Sequence, residues 1–273
     1  MKSKKIFLLI LIFILWGFVY HFGYADYSKV DPQKFILEKR EIAWNNLEKN
    51  LLNDIKQFKG DVGVVIKDLE TGWEIPFGDD KLFPSASLAK IPLMAVCLLA
   101  VEEGKIRLKR NAALKSSDKL TGSGVLKNMT PGIFFNIEEL IGLMISDSDN
   151  TATNILTNIV GINYVRDSLK NFGLKHTNFS RKIADYKLRD SGIENYTSAS
   201  DIASLLEKMY KRNLVSKSAS EHCLRFMKLS RSSDRIPKYL PVDLTIAHKT
   251  GLERGVCHDA GIVFTRRGDF IIA

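Results

Sequence analysis

The sequence predicts an α/β (α+β) fold: an antiparallel sheet of N-terminal and C-terminal strands, flanked by helices, with a mostly helical subdomain inserted between those strands. Strand patterns occur between residues 62 and 77 and return after Pro237. The apolar spacing from about 85 to 230 is mostly helical. Hydrophobic residues make up 45% and charged residues 26% of the 273 positions, which excludes disorder and low complexity.

The first 25 residues have the pattern of an export segment. Three lysines precede an uninterrupted apolar run of 15 residues, Ile6–Tyr20. A cationic start before an apolar core is typical of a cleaved secretory signal or of a retained membrane anchor, and both alternatives stay open. We therefore expect a juxtamembrane linker at 26–31, a folded domain at 32–273 (helical subdomain about 85–230), and an extracytoplasmic location, with membrane contact only through an uncleaved N-terminus.

Charge and cysteine usage exclude several kinds of partner. The net charge of +9 falls to +6 without the three N-terminal lysines. The sequence has no basic stripe interleaved with aromatic residues, the pattern that would indicate nucleic-acid binding. The three cysteines, Cys97, Cys223 and Cys257, lack metal-like spacing, and so do the histidines. We expect no metal, no cofactor and a monomer. Cys97 lies in an apolar run and is predicted to be buried.

Residues 32–77 are predicted to form one helix and two strands. Apolar residues at steps of three and four indicate an amphipathic helix over 32–58; they are Ala43, Leu47, Leu51, Ile55 and Phe58. A strand at 62–66, a turn at Thr71-Gly72 and an edge strand at 73–77 follow.

The middle of the chain is predicted to be helical and the end to be strands. The predicted helices are 87–103, 137–146, 151–159, 162–171, 201–212 and 219–229. The predicted strands are 242–250, 259–265 and a third that begins at Asp269.

A serine and a lysine stand three residues apart at the start of the first of these helices. Ser87 and Lys90 are predicted to share one helix face, which brings an amine within reach of a hydroxyl and indicates an activated nucleophile. The same spacing recurs once, at Ser116 and Lys119. That pair lies in a polar stretch, and we interpret it as a solvated loop.

Two further motifs have both a chemical and a plain structural interpretation. Ser148-Asp149-Asn150 separates two predicted helices, where it either directs polar groups into a cleft or simply caps the second helix. Lys249-Thr250-Gly251 ends a predicted strand, where it either binds a substrate carboxylate or forms an exposed strand end with a turn glycine.

The three motifs occur in one order, and their order and contexts resemble the class A β-lactamase family and the wider penicillin-binding-protein superfamily. The resemblance covers about 32–273 and implies a serine acyl-enzyme mechanism. It also implies a role for each site residue. Ser87 is the nucleophile, Lys90 is its base or tunes it, and Ser148 is a proton relay. Substrate is bound by Asn150, Lys249, Thr250 and Gly251. The backbone N–H groups of Ser87 and Leu252 form the oxyanion hole.

One loop departs from that family. Thr177 and Arg181 match its pattern, but the position of the family's deacylating Glu falls on Ile183 and that of its Asn on Lys187. The nearest acids are Asp185 and Glu194, which replace the missing base only if the loop follows another path.

The resemblance predicts a serine hydrolase acting on β-lactam amide bonds. The alternatives are a D,D-carboxypeptidase or transpeptidase acting on D-Ala-D-Ala peptides, and a sensor or binding protein that is acylated without turnover. The resemblance also implies that the strand beginning at Asp269 lies beside the first strand of the sheet. A strand remainder and a C-terminal helix are expected beyond Ala273.

Overall fold

The computed structural model describes residues 31–273, so the predicted export segment lies outside the described residues. The chain divides into two compact units. Of the described residues, one unit contains 31–62 together with Ile236–Val242, and the other contains Gly63–Arg235 together with Asp243–Ala273. Within the described part, no helix is long and apolar enough to cross a membrane.

The first unit contains helix α1 (Pro32–Gln57) and a short 3-10 turn, Ile236–Tyr239. The side chain of Asp31 caps α1 by accepting from the backbone N–H of Gln33, which satisfies one of the free donors of the first turn. The predicted helix is confirmed, but its buried face differs. Ala43 and Phe58 are exposed; Phe58 lies beyond the end of the helix, in extended backbone. The buried positions are Trp44, Leu47 and Leu51.

The second unit is built on a five-stranded antiparallel sheet. Its strands are β1 (Val64–Asp68), β2 (Glu74–Phe77), β7 (Thr245–Glu253), β8 (Val256–Phe264) and β9 (Phe270–Ile272), in the order β2-β1-β9-β8-β7. The expectation that early and late strands share one sheet is confirmed. The strand predicted to begin at Asp269 does lie beside the first, with Ile66 opposite Ile272.

The remaining elements lie between β2 and β7. The α-helices are α2 (Lys90–Glu102), α3 (Ile137–Ser146), α4 (Asn150–Val160), α5 (Ile162–Asn171), α6 (Tyr186–Asp190), α7 (Ala199–Tyr210) and α8 (Lys217–Met227). Short strands β3 (Phe83–Pro84) and β6 (Tyr196–Thr197) pair with each other, as do β4 (Asn111–Ala113) and β5 (Phe134–Asn136). The helix predicted at 87–103 is a 3-10 turn, Ala86–Ala89, followed by α2.

Helix α2 is the centre of the second unit. It is apolar on nearly all sides and packs against α3, α4, α5 and α8, as expected for a core helix. Cys97 is buried in it, as predicted. The three cysteines, all within the described residues, are free. Helix α7 contacts β1, β8 and β9, and α8 contacts β7. The first turn of the core helix thus lies where helices and sheet meet.

Candidate active site

Ser87 lies in the tight turn that precedes the core helix. Just before it, Ala86 has a φ of 45°, left-handed backbone that is uncommon for a residue with a Cβ. One flank of the turn is held by the backbone N–H of Ser85, which donates to the carbonyl oxygen of Asn195 at 2.7 Å, and by the pairing of β3 with β6. Ser87 itself is half-buried and lines a cavity. The fold therefore presents this serine to a cavity from a strained turn.

The side chain of Lys90 is completely buried next to the second motif. Its Nζ donates to the backbone oxygen of Ser148 at 2.6 Å, to the Oγ of Ser148 at 3.0 Å and to the Oδ1 of Asn150 at 2.9 Å. Burial lowers the pKa of Lys90 well below its ordinary value, and the charge of Lys249 lowers it further, while Asp149 acts in the opposite direction. A lowered pKa favours the neutral amine, the form that accepts a proton.

Asp149 fixes the turn that carries Ser148. It caps the start of α4, as the structural interpretation of this motif predicts, and its other carboxylate oxygen accepts from the backbone N–H groups of Val125 and Leu126 at 2.7 and 2.8 Å. A Cβ on Gly124 would lie only 2.2 Å from the Asp149 carboxyl carbon, so only glycine fits there. With its neighbour held, Ser148 adopts a φ of 53° and faces the two lysines.

Strand β7 brings Lys249 to the same serine. Its buried Nζ donates to the Oγ of Ser148 at 2.9 Å and to the backbone oxygen of Thr250 at 2.7 Å. Burial lowers the pKa of Lys249 to about 7; the Asp259 carboxylate opposes this shift and Arg235 adds to it. Near neutral pH this side chain exists in both protonation states.

The two residues after Lys249 serve different contacts. The hydroxyl of Thr250 lies 2.9 Å from that of Ser232, and both residues line the cavity. A Cβ on Gly251 would lie 3.3 Å from both the oxygen of Ser85 and the backbone nitrogen of Leu88. Glycine therefore lets β7 approach the turn that carries Ser87.

The cavity has a volume of about 350 Å³. Four residues predicted for the site line it: Ser87, Ser148, Thr250 and Leu252. Seven further lining residues were not predicted: Ser123, Ser146, Asp147, Arg231, Ser232, Asp234 and Arg235. The polar run 231–235 was the available signal, in a stretch for which no element was predicted. The Nη1 of Arg231 donates to Asp147 at 2.8 Å and joins two walls of the cavity.

The amide of Asn150 is occupied by the protein. Its Oδ1 accepts from Lys90, and its Nδ2 donates to the backbone oxygen of Thr121 at 3.2 Å. These contacts hold Lys90 and the loop at Thr121. The contact of Asn150 with substrate that the resemblance implies stays a prediction.

The two acids near the departing loop are both committed to structural contacts. Glu194, whose side chain is 9% exposed, pairs with Arg181, Nη2 to Oε1 at 2.6 Å, and with Arg189 at 3.4 Å. Asp185 caps α6. The backbone N–H and oxygen of Ile183 bond the side chain of Asn154 at 3.1 and 2.9 Å. Glu194 and Asp185 are the two acids that could replace the missing base, and neither is among the described residues that line the cavity.

A sequence model of the beta-lactamase enzyme family matches residues 46–273. The chain belongs to the beta-lactamase enzyme family. It is a serine β-lactamase-like hydrolase, and its fold is that of the family's solved structures.

Two curated relatives and two solved structures illustrate the similarity. Beta-lactamase VEB-1 of Pseudomonas aeruginosa is 24% identical over 99% of this chain and 89% of its own length. The extended-spectrum beta-lactamase PER-1 of the same organism is 26% identical over 77% and 72%. A beta-lactamase from Sphaerobacter thermophilus superimposes with a TM-score of 0.73 at 32% identity, covering 78% of this chain and 81% of that one. PBP-A superimposes with a TM-score of 0.75 at 27% identity, covering 83% of this chain and 85% of that one.

Proposed function

We propose that this enzyme opens β-lactam amide bonds through an acyl-enzyme on Ser87. The observation that carries the proposal is that Lys90 and Lys249 converge on the hydroxyl of Ser148, which lines the same cavity as Ser87. Amide acylation requires a nucleophilic hydroxyl, an amine that accepts its proton, and a second hydroxyl that gives a proton to the departing nitrogen. A variant of the similar protein PBP-A has been solved as an acyl-enzyme complex with penicillin G.

The acylation step uses these groups in sequence. The Oγ of Ser87 attacks the lactam carbonyl carbon as its proton passes to the neutral amine of Lys90. The backbone N–H groups of Ser87 and Leu252 stabilise the negative oxygen of the tetrahedral intermediate, where each donor is worth about 3 kcal/mol. The carbon–nitrogen bond then breaks. Ser148 gives its proton to the departing nitrogen, and an adjacent lysine replaces that proton.

The polar wall of the cavity binds the substrate carboxylate in this proposal. Thr250 and Ser232 present hydroxyls 2.9 Å apart, and the guanidinium of Arg235 lines the same space. Lys249 contributes positive charge from behind them. Such clustered donors are suited to a carboxylate because charge-assisted hydrogen bonds are the stronger ones.

The alternative is a D,D-peptidase-like enzyme acting on D-Ala-D-Ala peptides. The favouring observation is the loop. Ile183 cannot act as a base, and Glu194 and Asp185 are held in the contacts described above. Without such a base, deacylation of a β-lactam is slow. The same acylation groups can still act on a peptide whose acyl group leaves the serine by another route. The third alternative, an acylated sensor, shares the same first step.

One experiment separates these functions. The protein without its predicted export segment, residues 1–25, is mixed with benzylpenicillin and with a chromogenic cephalosporin. Its intact mass and the turnover of each compound are followed. Sustained hydrolysis that is lost in Ser87→Ala supports the β-lactamase. A stable adduct without turnover contradicts it, and cleavage of D-Ala-D-Ala peptides then separates the peptidase from the sensor. An adduct that survives in Ser87→Ala would overturn the assignment of the nucleophile.

The location and oligomeric state are part of the same proposal. The cationic and apolar start of the chain supports export, with the catalytic part outside the membrane. We also expect that part to be a monomer. Cell fractionation with an N-terminal sequence of the mature protein distinguishes a cleaved signal from an anchor. Recovery of the uncleaved chain in the cytoplasmic fraction would contradict export.

A further inference from the structure

The turn that carries Ser87 has a second anchor, on the flank opposite Asn195. The Nε2 of His258, on β8, lies 2.9 Å from the backbone oxygen of Pro84. A carbonyl oxygen only accepts, so Nε2 must carry a proton and donate. The bond therefore ties the segment three residues before Ser87 to the sheet.

The ring of His258 fits closely against the same segment. It meets the ring of Phe83 edge to face, with centroids 6.1 Å apart and planes at 76°. Gly251 stands opposite His258 in the register of β7 and β8. A Cβ on Gly251 would lie 3.2 Å from the ring of His258, so glycine gives the ring room to reach Pro84.

The turn contains strained backbone and an unpartnered hydroxyl, so anchors from outside help to hold it. Ala86 holds a left-handed backbone, a conformation that persists only where the surroundings enforce it. Within residues 31–273, the buried Oγ of Ser85 has no hydrogen-bond partner and adds nothing to the hold on this segment. Besides the pairing of β3 with β6, the external ties include the N–H of Ser85 to Asn195 and the oxygen of Pro84 to His258.

We propose that His258 is a positioning residue for Ser87, which it acts on through the carbonyl group of Pro84. The role rests on the proposed function, in which Ser87 is the nucleophile. Among the described residues that line the cavity His258 is not one, so it positions the turn without contacting substrate. Burial lowers the pKa of His258 and the charge of Arg235 lowers it further, while its bond to Pro84 opposes the shift.

The test compares three variants by their acylation with benzylpenicillin, measured as a rate constant and a dissociation constant. In His258→Phe the ring stays and the donor is lost. We expect an acylation rate constant about tenfold lower, the effect of one lost hydrogen bond, with the dissociation constant unchanged. His258→Gln keeps an N–H donor and should restore the rate to within about threefold. Ser85→Ala is the matched control and should acylate normally.

A second readout does not depend on acylation. Amide hydrogen exchange over residues 83–89 should be faster in His258→Phe and normal in His258→Gln. Unchanged exchange and acylation in His258→Phe would overturn the proposal, as would equal losses in both variants. Failure of the wild-type protein to be acylated would contradict the proposed function, and the exchange readout would then decide the role of His258 by itself.

Discussion

Lys90 and Lys249 donate to one atom, the Oγ of Ser148, at 3.0 and 2.9 Å. A hydroxyl has two acceptor positions and one donor, so two N–H donors from the lysines leave its proton free to point elsewhere. In the proposed mechanism that proton goes to the departing nitrogen. The arrangement also places two positive charges close together, which is one cause of the lowered pKa of Lys90.

The coupling between the lysines predicts a shift in the pH profile of acylation. Lys249→Gln removes the positive neighbour that lowers the pKa of Lys90, so that pKa should rise. The rising limb of the acylation rate against pH should therefore move to higher pH, at a reduced maximum. Rapid-mixing acylation assays on both proteins measure this limb, and a limb at the wild-type position would contradict the coupling.

Stability should also depend on Lys249. Its pKa is about 7 when folded against 10.5 as the ordinary value, so the unfolded chain binds more protons between these limits. The charged form penalises the folded state fully below about pH 7, and this penalty disappears as the pH rises to about 10.5. The free energy of unfolding should rise across that window, and less steeply in Lys249→Gln. Urea unfolding across the window tests the difference in slope; equal slopes would refute it.

Gly124 should tolerate no side chain. Gly124→Ala places a Cβ against the carboxyl group of Asp149 and forces alanine into a φ of 109°. We expect a loss of about 1–3 kcal/mol in the free energy of unfolding, together with slower acylation because the turn at Ser148 moves. Gly132→Ala is the matched control: its φ is 94°, but nothing lies within 4 Å of the added Cβ. A similar loss in both variants would assign the effect to backbone strain alone.

Ile183→Glu should shorten the life of the acyl-enzyme. The resemblance places the family's deacylating carboxylate at this position, and the bonds of the Ile183 backbone to Asn154 hold the loop there. A positioned general base is worth about 100-fold or more, and we expect at least about tenfold faster deacylation. Intact mass after benzylpenicillin treatment measures it. Ile183→Gln, similar in size but not basic, should leave the lifetime unchanged, and equal acceleration in both variants would argue against base catalysis.

The sequence predicted that early and late strands share one sheet, and the family resemblance implied that the three motifs form one site, whereas other parts of the site could not be predicted. Ser87 and Lys90 are neighbours on one turn, a relation that local spacing expresses directly. Arg235 lines the cavity because of the path of 231–235. His258 reaches the turn that carries Ser87 because β8 pairs with β7. The contact of the Asn150 amide with Lys90 could not be predicted either, because the packing that produces it leaves no trace in sequence spacing.

The sequence by itself determined which chemical groups this enzyme has: a serine, two lysines and a second serine in a fixed order along helices and strands. Their periodicity and motif spacing are local properties of the chain. Only the tertiary structure decided how the groups work together. The burial of Lys90 and Lys249 and their shared contact with Ser148 depend on distances between segments far apart in the chain. The pairing of Glu194 with Arg181 depends on the path of the loop between them. Those distances arise from packing, and they set the pKa values and protonation states on which the chemistry depends.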